Sequence, residues 1–186
     1  VLAGERLAHV SLELGGKSPS IVFPDYADEP DLIAQLTSAT RFARQGQSCT
    51  AGSRLFLHES IYDDVLSRLL EHIATLKVGD PRDEASDIGA VINAKQHGRI
   101  AGYIEDGLAQ PGVDVAFDGR PQLSVGEPGF YHAPMVLSQV RNDWRIAQEE
   151  IFGPVLSVIP WRDVDDVIAM ANDTHYGLAA FVFSRD

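Results

Sequence analysis

The sequence contains a single cysteine, Cys49, so no disulfide can form within one chain. A lone free thiol favours a reducing compartment, and we therefore expect a cytoplasmic protein. No apolar run approaches the roughly 18 residues that suggest a membrane span. The N-terminal segment also lacks the basic region and uninterrupted apolar stretch of a signal peptide. These absences argue against a membrane protein.

Basic residues are scarce. The chain has 15 Lys and Arg against 27 Asp and Glu, which gives a formal net charge of −12. Nucleic acids and anionic membranes are bound by basic patches, so we expect neither partner. The histidines stand at positions 9, 58, 72, 97, 132 and 175, where no pair has metal-ligand spacing. We therefore expect no metal site.

Glycine motifs that bind phosphate are missing as well. The stretch GGKSP lacks the first glycine and the spacing of a P-loop, and the chain contains no G-x-G-x-x-G. A dinucleotide-binding βαβ unit is thus not expected within these residues. The chain has no initiator Met and ends on a strand-like run, FVFSRD. We therefore expect it to belong to a longer polypeptide.

The patterns that are present predict alternating strands and helices. Such alternation indicates a layered α/β domain with a largely parallel sheet, and 186 residues suit one domain spanning 1–186. Strands are predicted in HVSLEL (9–14), SIVF, SRLFLH, VDVAF, PVLSVIPW and GLAAFVFS, and helices over about 30–44, 61–76, 93–108 and 164–172.

Two of these predictions carry further detail. In the first helix, the apolar positions Leu32, Leu36, Ala39 and Ala43 are predicted to line the buried face. Residues 118–133 are rich in Gly and Pro and are predicted to form a loop or hairpin.

Cys49 lies in the stretch RQGQSCTAGSR, among small and polar residues. A thiolate nucleophile needs a lowered pKa and access to substrate. At the predicted turn, the backbone amides of residues 48–52 are placed to stabilise a thiolate and a developing oxyanion. Spacing alone equally allows a small buried cysteine that only fills space.

Two acidic stretches are the other candidates. Glu13 ends a predicted strand beside Gly15 and Gly16, where a carboxylate suits a general base, although a solvated glutamate has the same pattern. The stretch QEEIFGPV (148–155) pairs two glutamates before an aromatic residue and a Gly-Pro break. Paired carboxylates can bind a metal, share a proton or accept hydrogen bonds from hydroxyl groups, but no His or Cys lies near enough for zinc spacing, and a charged loop is the plain alternative.

Together, four stretches resemble the aldehyde dehydrogenase superfamily. LELGGKSP resembles its glutamate motif, GQSCTAGSRLFL its cysteine motif, EEIFGPVLSV its cofactor-contact motif, and ANDTHYGLAAFVFSRD a further family segment. The four occur in the family's order, and the resemblance covers the whole chain. It implies oxidation of a small-molecule aldehyde to a carboxylic acid, with NAD or NADP as cofactor.

The resemblance implies a role for two catalytic residues. Cys49 would attack the aldehyde carbon, and the thiohemiacetal would lose hydride to the nicotinamide and become a thioester. Glu13 would then activate the water that hydrolyses the thioester. The backbone N–H of Cys49 would contribute to the oxyanion hole.

The resemblance also implies cofactor contacts. Glu150 would hold the hydroxyls of the nicotinamide ribose, and Phe152 would position the nicotinamide side of the cofactor. Leu14 and Gly15 would lie near the nicotinamide ring.

Family members are several hundred residues long, and the resemblance implies that two parts lie outside this chain. These are the N-terminal Rossmann-type cofactor domain and a C-terminal tail that contributes to the pocket and to oligomer contacts. We therefore expect a catalytic domain that does not turn over NAD(P)⁺ by itself. The full-length protein is expected to form a homodimer or homotetramer.

Three alternative functions remain open from the sequence. One is the acylating branch of the superfamily, in which coenzyme A takes the acyl group, although the retained Glu13 favours water. Another is a non-catalytic domain that binds partners or is a structural remnant. The last is an unrelated cysteine hydrolase that pairs Cys49 with a histidine.

Overall fold

A computed structural model describes residues 2–126 and 128–186 of the chain. The strands are β1 (Ser18–Val22), β2 (Gly52–His58), β3 (Asp114–Asp118), β4 (Met135–Ser138), β5 (Val155–Trp161) and β6 (Phe181–Phe183). The helices are α1 (Leu2–Glu5), α2 (Pro30–Phe42), α3 (Tyr62–Ile73), α4 (Ala94–Leu108), α5 (Arg145–Gln148) and α6 (Val164–Asn172).

The six strands form one sheet in the order β3-β4-β5-β2-β1-β6. Every neighbouring pair is parallel except β3 and β4, which are antiparallel at one edge. The predicted largely parallel sheet is therefore confirmed. The predicted loop or hairpin at 118–133 is the long connection of that antiparallel pair, and its Glu127 lies outside the described residues.

Helices cover both faces of the sheet, which confirms the layered α/β/α architecture. Successive strand residues face opposite sides, so Ile21 packs with the cluster under α4, α5 and α6, whereas Val22 packs with the cluster under α2 and α3. Both clusters are closed to solvent, with Leu69 and Ile100 each at 0% exposure. Burial on both faces is the usual condition for a parallel sheet.

Local signals explain where the main helices begin. The Asn93 side chain accepts a hydrogen bond from the Gln96 N–H and so caps α4, and Asp163 caps α6 through the N–H groups of Asp165 and Asp166. Such caps satisfy N–H groups that have no partner within the helix. The helices predicted at 61–76, 93–108 and 164–172 are confirmed, with boundaries shifted by no more than a few residues.

The strand predicted at residues 9–14 is wrong. This segment has no regular structure, and its alternating apolar residues remain in solvent, with Val10, Leu12 and Leu14 exposed by 57%, 70% and 62%. Alternation specifies a strand only when a neighbouring strand supplies a ladder, and no described strand pairs with this segment.

The buried face predicted for α2 is also wrong. Ala39 and Ala43 are exposed and Leu36 is 41% exposed, whereas Ser38 and Arg41 are buried. The buried face instead contains Ile33, Ala34 and Phe42, and Arg41 on this face donates a hydrogen bond to the Gly153 carbonyl, a contact that apolar periodicity does not reveal. Three short elements were not predicted, α1, β4 and α5, each of four residues.

The topology decides where the chemically interesting segments meet. Because β1, β2 and β5 are parallel neighbours, the stretches that precede them reach the same edge of the sheet. Ser18 pairs with Gly52, and Arg54 pairs with Ser157. The segments containing Glu13, Cys49 and Glu150 therefore converge at the amino-terminal edge, opposite to the edge where open α/β sheets usually bind ligands.

Candidate active site

Cys49 lies in a turn between α2 and β2, as predicted. The Ala51 N–H closes the turn on the Ser48 carbonyl at 3.1 Å, and the cysteine is free and half-buried. The preceding residues, 44–46, all have positive φ values, of 55°, 60° and 69°. Two of them are not glycine, so the chain holds a strained backbone that ends three residues before the thiol. Strain of this kind clusters at functional sites.

The glutamate segment packs directly on the cysteine turn. A Cβ atom added to Gly16 would lie 2.2 Å from the carbonyl oxygen of Cys49. No side chain fits at that distance, so glycine is required for the two backbones to approach. The packing joins the stretch LELGGKSP to the stretch GQSCTAGS at one point.

Glu150 joins a third segment to the same point. Its Oε1 accepts a hydrogen bond from the Gly16 N–H at 3.1 Å, and its Oε2 would lie 2.8 Å from a Cβ atom on Gly15. Its own N–H donates to the Tyr176 hydroxyl at 3.4 Å. The carboxylate is thus held against the double glycine, and two of the predicted cofactor residues, Gly15 and Glu150, are in contact.

Helix α4 holds the backbone of residues 150–152. The Gln96 amide donates to the carbonyls of Ile151 and Phe152, both at 2.9 Å, and Arg99 donates to the carbonyls of Glu150 and Ile151. Phe152 itself has a φ of 58°, another left-handed residue that is not glycine. These bonds fix the conformation of the segment that presents the Glu150 carboxylate.

An open cleft of about 510 Å³ lies at this segment. It combines a carboxylate, an aromatic ring and polar side chains from α4. This set suits a ligand that has both hydroxyl groups and a flat ring. The lining residues are Ile92, Asn93, Lys95, Gln96, Arg99, Glu150 and Phe152.

Glu13 and Leu14 are not placed in contact with Cys49. Both are exposed, and Glu13 forms no hydrogen bond or ion pair with the other residues that the structure describes. Glu13 was predicted at the end of a strand, and that strand does not form. Its segment joins the site only through Gly15 and Gly16, two and three residues further along.

Three cationic side chains, Lys17, Arg41 and Arg54, are buried beside this junction. Arg54 is fully satisfied, because it donates to the carbonyls of Lys17, Met170 and Ala171 and to the Asn142 side chain. Burial lowers the pKa of Arg54, and the charge of Asp173 opposes that shift.

Lys17 has no such partners. It is 1% exposed, and its Nζ has no hydrogen-bond partner among residues 2–126 and 128–186. Burial is the main cause that lowers the pKa of Lys17, and the charges of Arg41 and Arg54 lower it further. Glu150 is the one carboxylate that opposes the shift. The junction therefore holds more basic than acidic side chains, within an acidic protein.

Sequence reasoning missed four residues of this site: Lys17, Arg41, Gln96 and Arg99. Lys17 lies inside LELGGKSP, but the motif predicts no role for its lysine. The other three act through contacts with carbonyl groups far away in the sequence. Only the polar i, i+3 spacing of Gln96 and Arg99 on one helix gave a signal.

No group of three or more His, Cys, Asp or Glu in the described part of the chain is arranged to hold a metal ion. None of its helices has both the length and the apolar character for crossing a membrane.

The fold and this junction define an α/β domain built around a free cysteine. The chain belongs to the aldehyde dehydrogenase family, whose model matches residues 1–186.

Named relatives agree with this assignment. Betaine aldehyde dehydrogenase of Brucella anthropi is 42% identical over 186 residues, which are 99% of this chain and 37% of the relative. NAD-dependent aldehyde dehydrogenase from Sinorhizobium meliloti superposes with a TM-score of 0.89 at 38% identity, over 100% of this chain and 36% of that one.

A third comparison includes a bound cofactor. The NAD⁺ complex of aldehyde dehydrogenase from Bacillus cereus has a TM-score of 0.87 at 37% identity, over 99% of this chain and 36% of that one. The chain thus spans little more than a third of the length of these relatives.

Proposed function

We propose that residues 1–186 are the nucleophile-bearing domain of an NAD(P)⁺-dependent aldehyde dehydrogenase that oxidises a small-molecule aldehyde to a carboxylic acid. The main support is the three-segment junction, in which Gly16 packs on the Cys49 carbonyl and donates its N–H to Glu150. Fold topology brings these segments together although they lie up to 134 positions apart. The family membership supports the same function.

The residues of the cleft fit a nicotinamide cofactor. The Glu150 carboxylate is an acceptor for two ribose hydroxyls, and the Phe152 ring offers an apolar face beside it. Gly15 leaves room for close approach, and Leu14 lies exposed at the same end of the segment. When bound, NAD or NADP supplies the hydride acceptor of the reaction. The solved Bacillus cereus relative, an NAD⁺ complex, supports this assignment.

Cys49 performs the nucleophilic step. Its sulfur bonds to the aldehyde carbon and forms a thiohemiacetal, and after oxidation the acyl group remains on sulfur as a thioester. The Cys49 N–H forms no hydrogen bond with another described residue and is free to donate to the oxyanion. Within the turn at 48–51, Cys49 therefore supplies both the nucleophile and a donor to the oxyanion.

Glu13 acts in the second half of the reaction as general base. It removes a proton from water, the water oxygen attacks the thioester carbon, and the acid leaves while sulfur is freed. A base for this step must come within one water molecule of the thioester carbon. The exposed, irregular segment of Glu13 suits such a base, because no helix or strand fixes it in one place.

The rate of Cys49 alkylation against pH tests this assignment in the chain itself. We expect Cys49 to be alkylated faster than glutathione at the same pH. Glu13→Gln should change the profile, and His72→Ala should not. A glutathione-like thiol would favour a non-catalytic domain, and dependence on a histidine but not on Glu13 would favour a cysteine hydrolase.

The rest of the protein is part of the same proposal. We place the Rossmann-type cofactor domain and the C-terminal tail outside these residues and expect a cytoplasmic homodimer or homotetramer. Light scattering on the full-length protein measures the oligomeric state.

Water is proposed as the acyl acceptor, and stimulation of turnover by coenzyme A would instead assign the acylating branch.

A further inference from the structure

Without a cofactor, the Glu150 carboxylate has contacts within the chain itself. Its Oε1 accepts the Gly16 N–H at 3.1 Å, and Gly16 in turn lies against the Cys49 carbonyl. The path from the carboxylate to the nucleophile therefore consists of one hydrogen bond and one close backbone contact. The backbone of residue 150 is itself held by Arg99 and Tyr176, so the carboxylate is a fixed point for Gly16.

Two cationic side chains, Lys17 and Arg41, are buried near Glu150. Lys17 Nζ and Arg41 Nε are both buried without a hydrogen-bond partner among the described residues. Burial lowers the pKa of both side chains, and for each of them Glu150 is the one carboxylate that opposes the shift. Buried charges destabilise a fold strongly unless an opposite charge compensates them.

We propose that Glu150 is a positioning residue for the Cys49 turn, which it holds through Gly16 while balancing the charge of Lys17 and Arg41. The inference rests on the proposed function only in taking Cys49 as the nucleophile. A ligand whose hydroxyls take up the carboxylate would withdraw the acceptor from Gly16. Occupancy of the cleft is thereby linked to the conformation of the glutamate and cysteine segments.

Amide exchange at Gly16, followed by NMR in the 186-residue chain without ligand, tests the hydrogen bond. Glu150→Ala should accelerate exchange about tenfold, the factor expected for a lost bond to a charged acceptor. Glu150→Gln retains an acceptor oxygen and should restore most of the protection. Exchange in Glu150→Ala within about twofold of the original chain would overturn the proposal.

The matched control is the neighbouring carboxylate. Glu149 accepts a hydrogen bond from the Tyr103 hydroxyl at 2.6 Å and pairs with Arg145 on the surface. Glu149→Gln should therefore leave Gly16 exchange and Cys49 alkylation unchanged. An equal effect of both glutamate variants would show a general loosening of the segment and contradict a specific role of Glu150.

The pH profile of Cys49 alkylation separates positioning from mere stability. Glu150→Ala should shift the pH profile of Cys49 alkylation in the folded chain. The profile of Glu150→Gln should lie between those of Glu150→Ala and the original chain. If Gly16 exchange responds to Glu150 but Cys49 is an ordinary thiol in every variant, the proposed function fails while the Gly16 contact stands. If Cys49 is activated but indifferent to Glu150, the positioning role fails alone.

A double variant keeps the charge argument testable even if Glu150→Ala does not fold. Glu150→Gln leaves Lys17 and Arg41 uncompensated and should lower the midpoint of thermal unfolding. Adding Lys17→Met removes one of the two buried cations and should raise the midpoint again. Additive losses from Lys17→Met and Glu150→Gln would contradict the coupling, because independent sites add.

Discussion

The backbone of Gly16 lies against the carbonyl oxygen of Cys49, so closely that a Cβ atom at residue 16 would be 2.2 Å from that oxygen. Gly16→Ala should therefore displace the cysteine turn and cost about 2 kcal/mol or more in the free energy of unfolding. Urea denaturation measures the loss. Alkylation of Cys49 in the folded variant reports the displacement.

Gly98→Ala is the control for that change. Gly98 lies in α4 with nothing within 4 Å of an added Cβ atom, and alanine is the better helix former. This variant should be stabilised by about 0.5–1 kcal/mol. Equal stability changes in the two glycine variants would contradict the close contact of Gly16 with Cys49.

Arg54 should be among the residues whose loss destabilises the fold most. It is fully buried and donates to three carbonyls from different segments, those of Lys17, Met170 and Ala171. Arg54→Met leaves these acceptors unpaired and should cost about 3–5 kcal/mol. Arg162→Met breaks a surface ion pair with Glu59 and should cost less than about 1 kcal/mol in the same denaturation experiment.

His132 should make stability depend on pH. It is buried and stacks on His97 with ring centroids 4.1 Å apart. Burial is the main cause that lowers the pKa of His132, and the charges of His97 and Arg120 lower it further, against a hydrogen bond to the His97 carbonyl.

Because the folded pKa lies below the unfolded one, the unfolded chain takes up a proton first as pH falls. The contribution is therefore complete above the unfolded value of about 6.5 and is lost as pH falls below it. His132→Gln should flatten the stability profile between pH 7 and about 5. The same change at the exposed His9 should not, and an unaltered slope in His132→Gln would refute the assignment.

The chain alone should produce no NADH from NAD⁺ and an aldehyde. It spans about 37% of a curated relative, and the proposed adenosine-binding domain lies outside it. Absorbance of NADH over time measures the reaction. Steady growth that depends on Cys49 would show that residues 1–186 bind the cofactor productively by themselves.

Much of the fold could be predicted because its helices have strong local signals. The apolar stripe of Val65, Leu69 and Ile73 and the caps at Asn93 and Asp163 each act within one or two turns. The strand prediction for residues 9–14 was wrong because an alternating pattern carries no information about a pairing partner. Strand β4 was not predicted because four residues after a Gly- and Pro-rich stretch give too short a pattern.

The candidate site, too, could be predicted only in part. Cys49, Gly15 and Glu150 lie in recognisable motifs, and the structure brings their segments together. The network that holds them could not be predicted, since Arg41 reaches Gly153 across 112 positions and Arg99 reaches Ile151 across 52. Such contacts follow from the strand order, and the strand order is a property of the whole sheet.

The most direct test of the account is to trap the acyl group. The chain is mixed with p-nitrophenyl acetate, and the protein is weighed by mass spectrometry as p-nitrophenolate is released. We predict a burst of one equivalent, one acetyl group on Cys49, and persistence of that acetyl group in Glu13→Gln because hydrolysis is slowed. Release that is unchanged in Cys49→Ala, or an acetyl group whose lifetime does not depend on Glu13, would contradict the proposed chemistry.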